Sequence, residues 1–141
     1  MMTVTPSYED VQVGDAIPAL SLDPISRTTL ALYCGASGDH LPVHVDLDFA
    51  RENGIPDVFA HGMLSMAYLG RALTNWAQID RLRAYNVRFV AITHVHDTVS
   101  CSGTVVEKFE ADGEKRVRLA LEAKTETGGV TLRGEAVIAL I

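Results

Sequence analysis

Hydrophobic and polar positions follow two different periods along this chain, and the change falls near residue 85. In the first half, Leu30, Tyr33 and Cys34 recur at helical spacing within "RTTLALYCGAS". Ser26 just before is an N-cap candidate, and Gly35 to Gly38 supply a stop. "IPALSL", residues 17 to 22, predicts a short strand ending at Asp23-Pro24. Asp46 is placed to cap a short helix, "LDFAREN", which Gly54 would close ahead of Pro56. The longest predicted helix is "HGMLSMAYLGRALTNWA", residues 61 to 77. Its apolar residues fall on nearly every side, which predicts burial on nearly every side.

Beyond residue 85 the spacing shortens to two. "YNVRFVAIT", "DTVSCSGTVVEKF", "EKRVRLALEAKTET" and "GVTLRGEAVIALI" are rich in Val, Thr and Ile and alternate in stretches. Val117, Leu119, Leu121 and Ala123 share one strand face, opposite Arg116, Arg118, Glu122 and Lys124. Ala111-Asp112-Gly113 and Thr127-Gly128-Gly129 supply turns, so the strands read as consecutive hairpins of an antiparallel sheet. One very apolar helix beside such a sheet is the α+β class, with the sheet wrapped around the helix.

Composition narrows the classes. With 141 residues, 48% of them hydrophobic, residues 1–141 read as a single domain whose core needs neither disulfide nor metal. The formal charge is −6, and basic residues gather only at Arg81, Arg83 and Arg88 and at Lys115, Arg116 and Arg118. No nucleic-acid surface is expected from that pattern, whereas a small anionic ligand stays open. Cys34 and Cys101 form no disulfide framework and no C-x-x-C. "MMTVTPSYEDVQVGD" lacks the pattern of a signal peptide, and no apolar run reaches membrane-spanning length. The expectation is a cytoplasmic protein with no membrane partner.

Three clusters could carry chemistry: Asp39, His40 and His44; Ala60-His61-Gly62 at the start of the long helix; and His94-x-His96. Pro42 makes the first an extended turn, which could aim Asp39 and His44 at one point. A carboxylate and an imidazole are a standard pair for moving protons near neutral pH. Spacing alone does not separate this from a turn cap beside a structural histidine. Gly62 at a helix start would let a carbonyl approach unpaired backbone N–H groups. Ser65 lies one turn further in and could add a hydroxyl. Pro42 denies His40 and His44 a shared helical face, and His94 and His96 lack further ligands at suitable spacing, so no metal site is expected. There is no G-x-S-x-G elbow either.

"YCGASGDHLPVHVDLDFARENGIPDVFAHGMLSMAYLG" resembles the MaoC-like dehydratases, which include the (R)-specific enoyl-CoA hydratases. Their signature looks like G-D-x-N-P-x-H-x-D followed by H-G-M-L. The matching residues here are Gly38, Asp39, Pro42, His44 and Asp46, then His61, Gly62, Met63 and Leu64. The resemblance implies a hot-dog fold and a homodimer, or a heteromer with a related subunit. It implies reversible hydration of a trans-2-enoyl-CoA to a (R)-3-hydroxyacyl-CoA, with no metal or redox cofactor. On it, His44 would take a proton from water and Asp39 would hold that water and deliver a proton to the α-carbon. The Gly62 N–H would polarise the thioester carbonyl, and Leu41, Phe59, His61, Met63 and Ser65 would line the substrate pocket. Leu41 stands where the family has Asn, which suggests either a bulky or atypical acyl chain or a weakened hydratase activity. The competing expectations are a hot-dog acyl-CoA thioesterase and a non-catalytic subunit of a heteromeric hydratase.

Overall fold

The computed structural model describes residues 3–141. Met1 and Met2, at the head of the segment read above for a leader, lie outside the described residues. Eight elements follow in chain order: β1 (Leu20–Ser21), α1 (Arg27–Ser37), α2 (Leu47–Glu52), α3 (Gly62–Trp76), β2 (Leu82–Phe89), β3 (Ser100–Ala111), β4 (Glu114–Thr125) and β5 (Gly129–Ala139). All strand pairs are antiparallel, in the order β1-β3-β4-β5-β2. The sheet wraps α3 in a hot-dog fold.

Local chemistry explains most boundaries. The Ser26 hydroxyl accepts the Thr29 N–H at 3.0 Å and starts α1. Gly38, at φ 76°, ends it by donating its N–H to the Cys34 carbonyl. The Asp46 carboxylate accepts the Phe49 N–H at 3.1 Å and starts α2. The β3–β4 turn holds Asp112 and Gly113 at φ 52° and 74°, the paired positive angles that a tight hairpin requires. Val117, Leu119, Leu121 and Ala123 of β4 are all buried, as their alternation predicts. They share one core cluster with Leu30 of α1, Ala50 of α2, and Leu69 and Leu73 of α3.

Three expectations need correction. The strand predicted over 17–22 shrinks to Leu20–Ser21, because Pro18 has no N–H to give a ladder. An isolated bridge from Ala16 to Thr104, the Ile17 N–H on the Gly103 carbonyl and the Leu22 N–H on the Val99 carbonyl continue its path. The strand "YNVRFVAIT" begins earlier and ends at Phe89, and it does not form a hairpin with β3. It pairs with β5 at the far edge, so residues 90–99 form a crossover. Finally, α3 is not buried all round. Leu64, Ser65, Leu69, Ala72 and Leu73 face the core, while Gly62, Met63, Ala67, Arg71 and Asn75 form an exposed stripe. An open sheet covers only part of a helix's circumference.

Candidate active site

The loop after α1 is built from local hydrogen bonds. The Ser37 hydroxyl accepts the Asp39 N–H at 3.1 Å, and the Asp39 carboxylate accepts the Leu41 N–H at 3.3 Å. Pro42 then opens a single 3-10 turn over Pro42–His44. This turn separates the two side chains by environment. His44 is buried, whereas half of the Asp39 side chain is exposed.

His44 is oriented from the opposite side. Its Nδ1 lies 2.7 Å from the Phe59 carbonyl oxygen. A carbonyl can only accept, so Nδ1 carries the proton and Nε2 presents a lone pair. That lone pair lies 4.0 Å from the nearer Asp39 carboxylate oxygen. Such a gap is too wide for a direct hydrogen bond, and an oxygen lying to one side of the line between the two atoms could reach both. Sequence reasoning did not find the Phe59 carbonyl, because a backbone acceptor has no residue signature.

His61 packs beneath this pair and is 1% exposed. Its ring stacks on that of His44 with centroids 3.9 Å apart and 25° between planes. Its Nε2 donates to the Asp39 backbone carbonyl at 3.1 Å and lies 3.5 Å from the Cys34 sulfur. Tyr33 meets the ring edge-on at 4.8 Å. Burial holds the His61 imidazole below the usual histidine range, against the opposing pull of the Asp39 carbonyl. Burial likewise raises the Tyr33 phenol, helped by the Asp39 charge. Asp39, His44 and His61 bring one donor atom each within 4.8 Å of one another. The two imidazoles are stacked, however, so their in-plane lone pairs do not converge on a common ion.

Beside the pair opens an apolar cleft of about 310 Å³. Phe59, Gly62, Phe89, Ile92 and Thr93 are among its walls. A Cβ on Gly62 would stand 2.8 Å from Phe89 Cδ1, so the absence of a side chain is what lets the Phe89 ring cross the start of α3. Phe59 belongs to both regions: its carbonyl orients His44 and its residue lines the cleft.

The structure thus brings together Asp39, His44, Phe59, His61 and Gly62. It does not place every expected pocket residue on a wall. His61 and Ser65 are fully buried, and the Ser65 hydroxyl faces Thr93 at 3.4 Å. Neither is among the walls of this cleft: His61 packs against Asp39 and His44, and Ser65 lies behind Thr93. Leu41 and Met63 are instead more than half exposed. His94 and His96 lie apart from the pair: His94 bridges Phe59 through its backbone, and His96 has a positive φ of 74°. Phe89 and Thr93 were missed because the end of β2 and the crossover after it meet α3 only in the folded chain.

The family comparison decides the classification: the model of the MaoC like domain matches residues 11–127. The chain belongs to the MaoC-like domain family. Among relatives, the "(R)-specific enoyl-CoA hydratase" of Rhodospirillum rubrum is 29% identical, with 93% of this chain and 89% of that protein covered. "Fatty acid synthase subunit beta" of Saccharomyces cerevisiae is 31% identical over 92% of this chain. The MaoC-like chain spans only about 6% of that protein's length. Among solved structures, the unliganded R-hydratase PhaJ1 of Pseudomonas aeruginosa superposes with a TM-score of 0.84. It is 26% identical, with 98% of this chain and 87% of that chain covered.

Proposed function

We propose that this MaoC-like chain is a hydro-lyase that reversibly adds water to a trans-2-enoyl thioester, with an acyl-CoA as substrate and a (R)-3-hydroxyacyl-CoA as product. The observation that carries the reading is the His44 Nε2 lone pair facing the Asp39 carboxylate across 4.0 Å. A water between them gives a proton to His44 as its oxygen bonds to C3. The alkene electron pair moves toward the thioester carbonyl, whose developing negative charge the Gly62 N–H stabilises at the start of α3. The proton taken up by His44 passes to the Asp39 carboxylate and from there to C2, so the pair ends each turnover as it began. No electrons change hands overall, so the reaction needs no redox cofactor, and the Gly62 N–H takes the part that a Lewis acid would play at the carbonyl.

The apolar cleft at Gly62 supports an acyl thioester as substrate, since its walls suit an acyl chain beside the proposed carbonyl-binding N–H. Leu41, exposed on the loop beside Asp39, supports an atypical acyl group. Strand β2 is the edge strand beyond β5, and a second copy or a related subunit joined there would continue the sheet. No helix among the described residues is long and apolar enough to cross a membrane. Two buried free cysteines fit a cytoplasmic setting.

The test is mass spectrometry of products from short, medium and bulky trans-2-enoyl-CoAs. Addition of one water, lost in Asp39→Asn, is the expected result. Free CoA without hydration would instead identify a thioesterase. Unchanged substrates throughout, reversed only by adding a related subunit, would identify a non-catalytic partner.

A further inference from the structure

The proposed reaction uses Asp39, His44 and Gly62, and it leaves the most deeply buried imidazole of the site without a part. We infer that His61 is a positioning residue, whose Nε2–H on the Asp39 carbonyl and ring face against His44 together set the separation of the two proton-transfer groups. The inference rests on the hydratase reading for its kinetic consequence, but its geometry stands separately.

Three observations carry it. Asp39 sits on an exposed loop, and its two other hydrogen bonds reach only Ser37 and Leu41, two residues away on either side. The bond from His61 comes from a residue 22 positions further on, so it ties that loop to the body of the fold. The same side chain touches the second partner, with its ring 3.9 Å from that of His44. One residue therefore contacts both halves of the pair. Lastly, His61 Nδ1 is buried with no hydrogen-bond partner. An unsatisfied buried nitrogen is costly, and a phenyl ring would avoid it. The imidazole fills this place with one N–H aimed at Asp39.

The ionisable groups around His61 are Asp39 from the loop, His44 from the 3-10 turn, and Tyr33 and Cys34 from α1. His44 becomes a cation in each turnover while stacked on this ring. A neutral His61 offers that cation a π face, whereas a charged one would repel it.

The first test is long-range 15N–1H NMR of the wild-type imidazoles without substrate. His61 is expected as the neutral Nε2–H tautomer throughout the titration of His44; an Nδ1–H tautomer, or a cation at pH 7, overturns the inference. The second test compares His61→Phe with His61→Gln. Phenylalanine keeps a ring against His44 but lacks the N–H, so kcat should fall about tenfold to a hundredfold with KM within about threefold. Glutamine can donate to the Asp39 carbonyl and should recover part of kcat. Wild-type kcat in His61→Phe, or a change confined to KM, overturns it. If His61→Phe does not fold, the wild-type tautomer and the Gln variant decide. A wild-type protein that hydrates no enoyl-CoA removes the hydratase reading and leaves the NMR result to decide this one; hydration with an Nδ1–H tautomer removes this inference alone.

Discussion

The Nδ1–H of His44 donates to the Phe59 carbonyl oxygen at 2.7 Å, and that bond decides which nitrogen faces Asp39. A ring free to flip would spend time with the wrong nitrogen toward the carboxylate. Held by a backbone group on the approach to α3, the ring keeps Nε2 as the acceptor. The site is thus anchored by the chain leading into the central helix, not only by the loop that carries its chemistry.

Asp39→Asn and His44→Gln should each lower kcat/KM for enoyl-CoA hydration by about a hundredfold to ten-thousandfold. The double variant should be little worse than the poorer single one, because a proton-transfer pair acts as a unit. Steady-state kinetics with thermal melts check this. Asp39→Asn, at a half-exposed side chain, should leave the melting temperature near wild type.

Gly62→Ala tests the contact between the start of α3 and Phe89. The new methyl would stand 2.8 and 2.9 Å from the ring's Cδ1 and Cε1, so the half-exposed ring must move. Stability should change by less than about 1 kcal/mol, because Ala favours a helix over Gly and the ring has room to shift. Hydration should slow as the cleft is reshaped. Adding Phe89→Ala should restore part of the rate, and strict additivity in a double-mutant cycle would contradict the contact.

Acid should destabilise the protein in two windows. His61 is held below its ordinary value of 6.5, so the folded state favours the neutral ring. The unfolded chain then binds more protons as pH falls below about 6.5, and stability is lost until the folded-state value is passed. Glu114 is held down to about 2 by its hydrogen bonds to Arg83 and Arg116, from an ordinary value of 4.5. Its contribution is present above pH 4.5 and is lost as the pH falls through about 2. Urea unfolding between pH 7 and pH 5 should therefore show a slope that His61→Phe flattens and Glu114→Gln leaves unchanged.

The two faces of α3 should respond differently to truncation. Leu69→Ala, at a fully buried position, should cost about 2–5 kcal/mol. Met63→Ala, at a position more than half exposed, should cost less than about 0.5 kcal/mol. Chemical denaturation of both variants checks the face assignment. Equal losses would mean that the exposed stripe is covered in solution.

Much of this arrangement was legible in the sequence where the responsible interactions are short-range. Ser26, Gly38 and Asp46 act on groups within four residues, so their roles as caps and stop could be read from residue type. The alternation through Val117 and Ala123 depends only on strand geometry and a single buried face. The signature running from Gly38 to Leu64 identified the family because it combines many residues in fixed order.

Other features needed the chain to close on itself. Whether β2 pairs with β3 or β5 depends on where the crossover over residues 90–99 leads, and strand patterns do not encode a partner. Which stripe of α3 stays open depends on how far the sheet wraps, so an all-round apolar pattern overstated its burial. Phe59 acts on His44 through a carbonyl that every residue possesses. His61 lies 22 positions beyond Asp39, and no spacing rule states that its ring will stack on His44. The sequence by itself determined the helix caps, the buried face of β4 and the family signature, because caps, alternation and signature residues depend on residue type and short spacing. Only the tertiary structure decided the tautomer of His44, the burial of His61 and the neighbour of Gly62, because each depends on contacts between segments far apart in the chain.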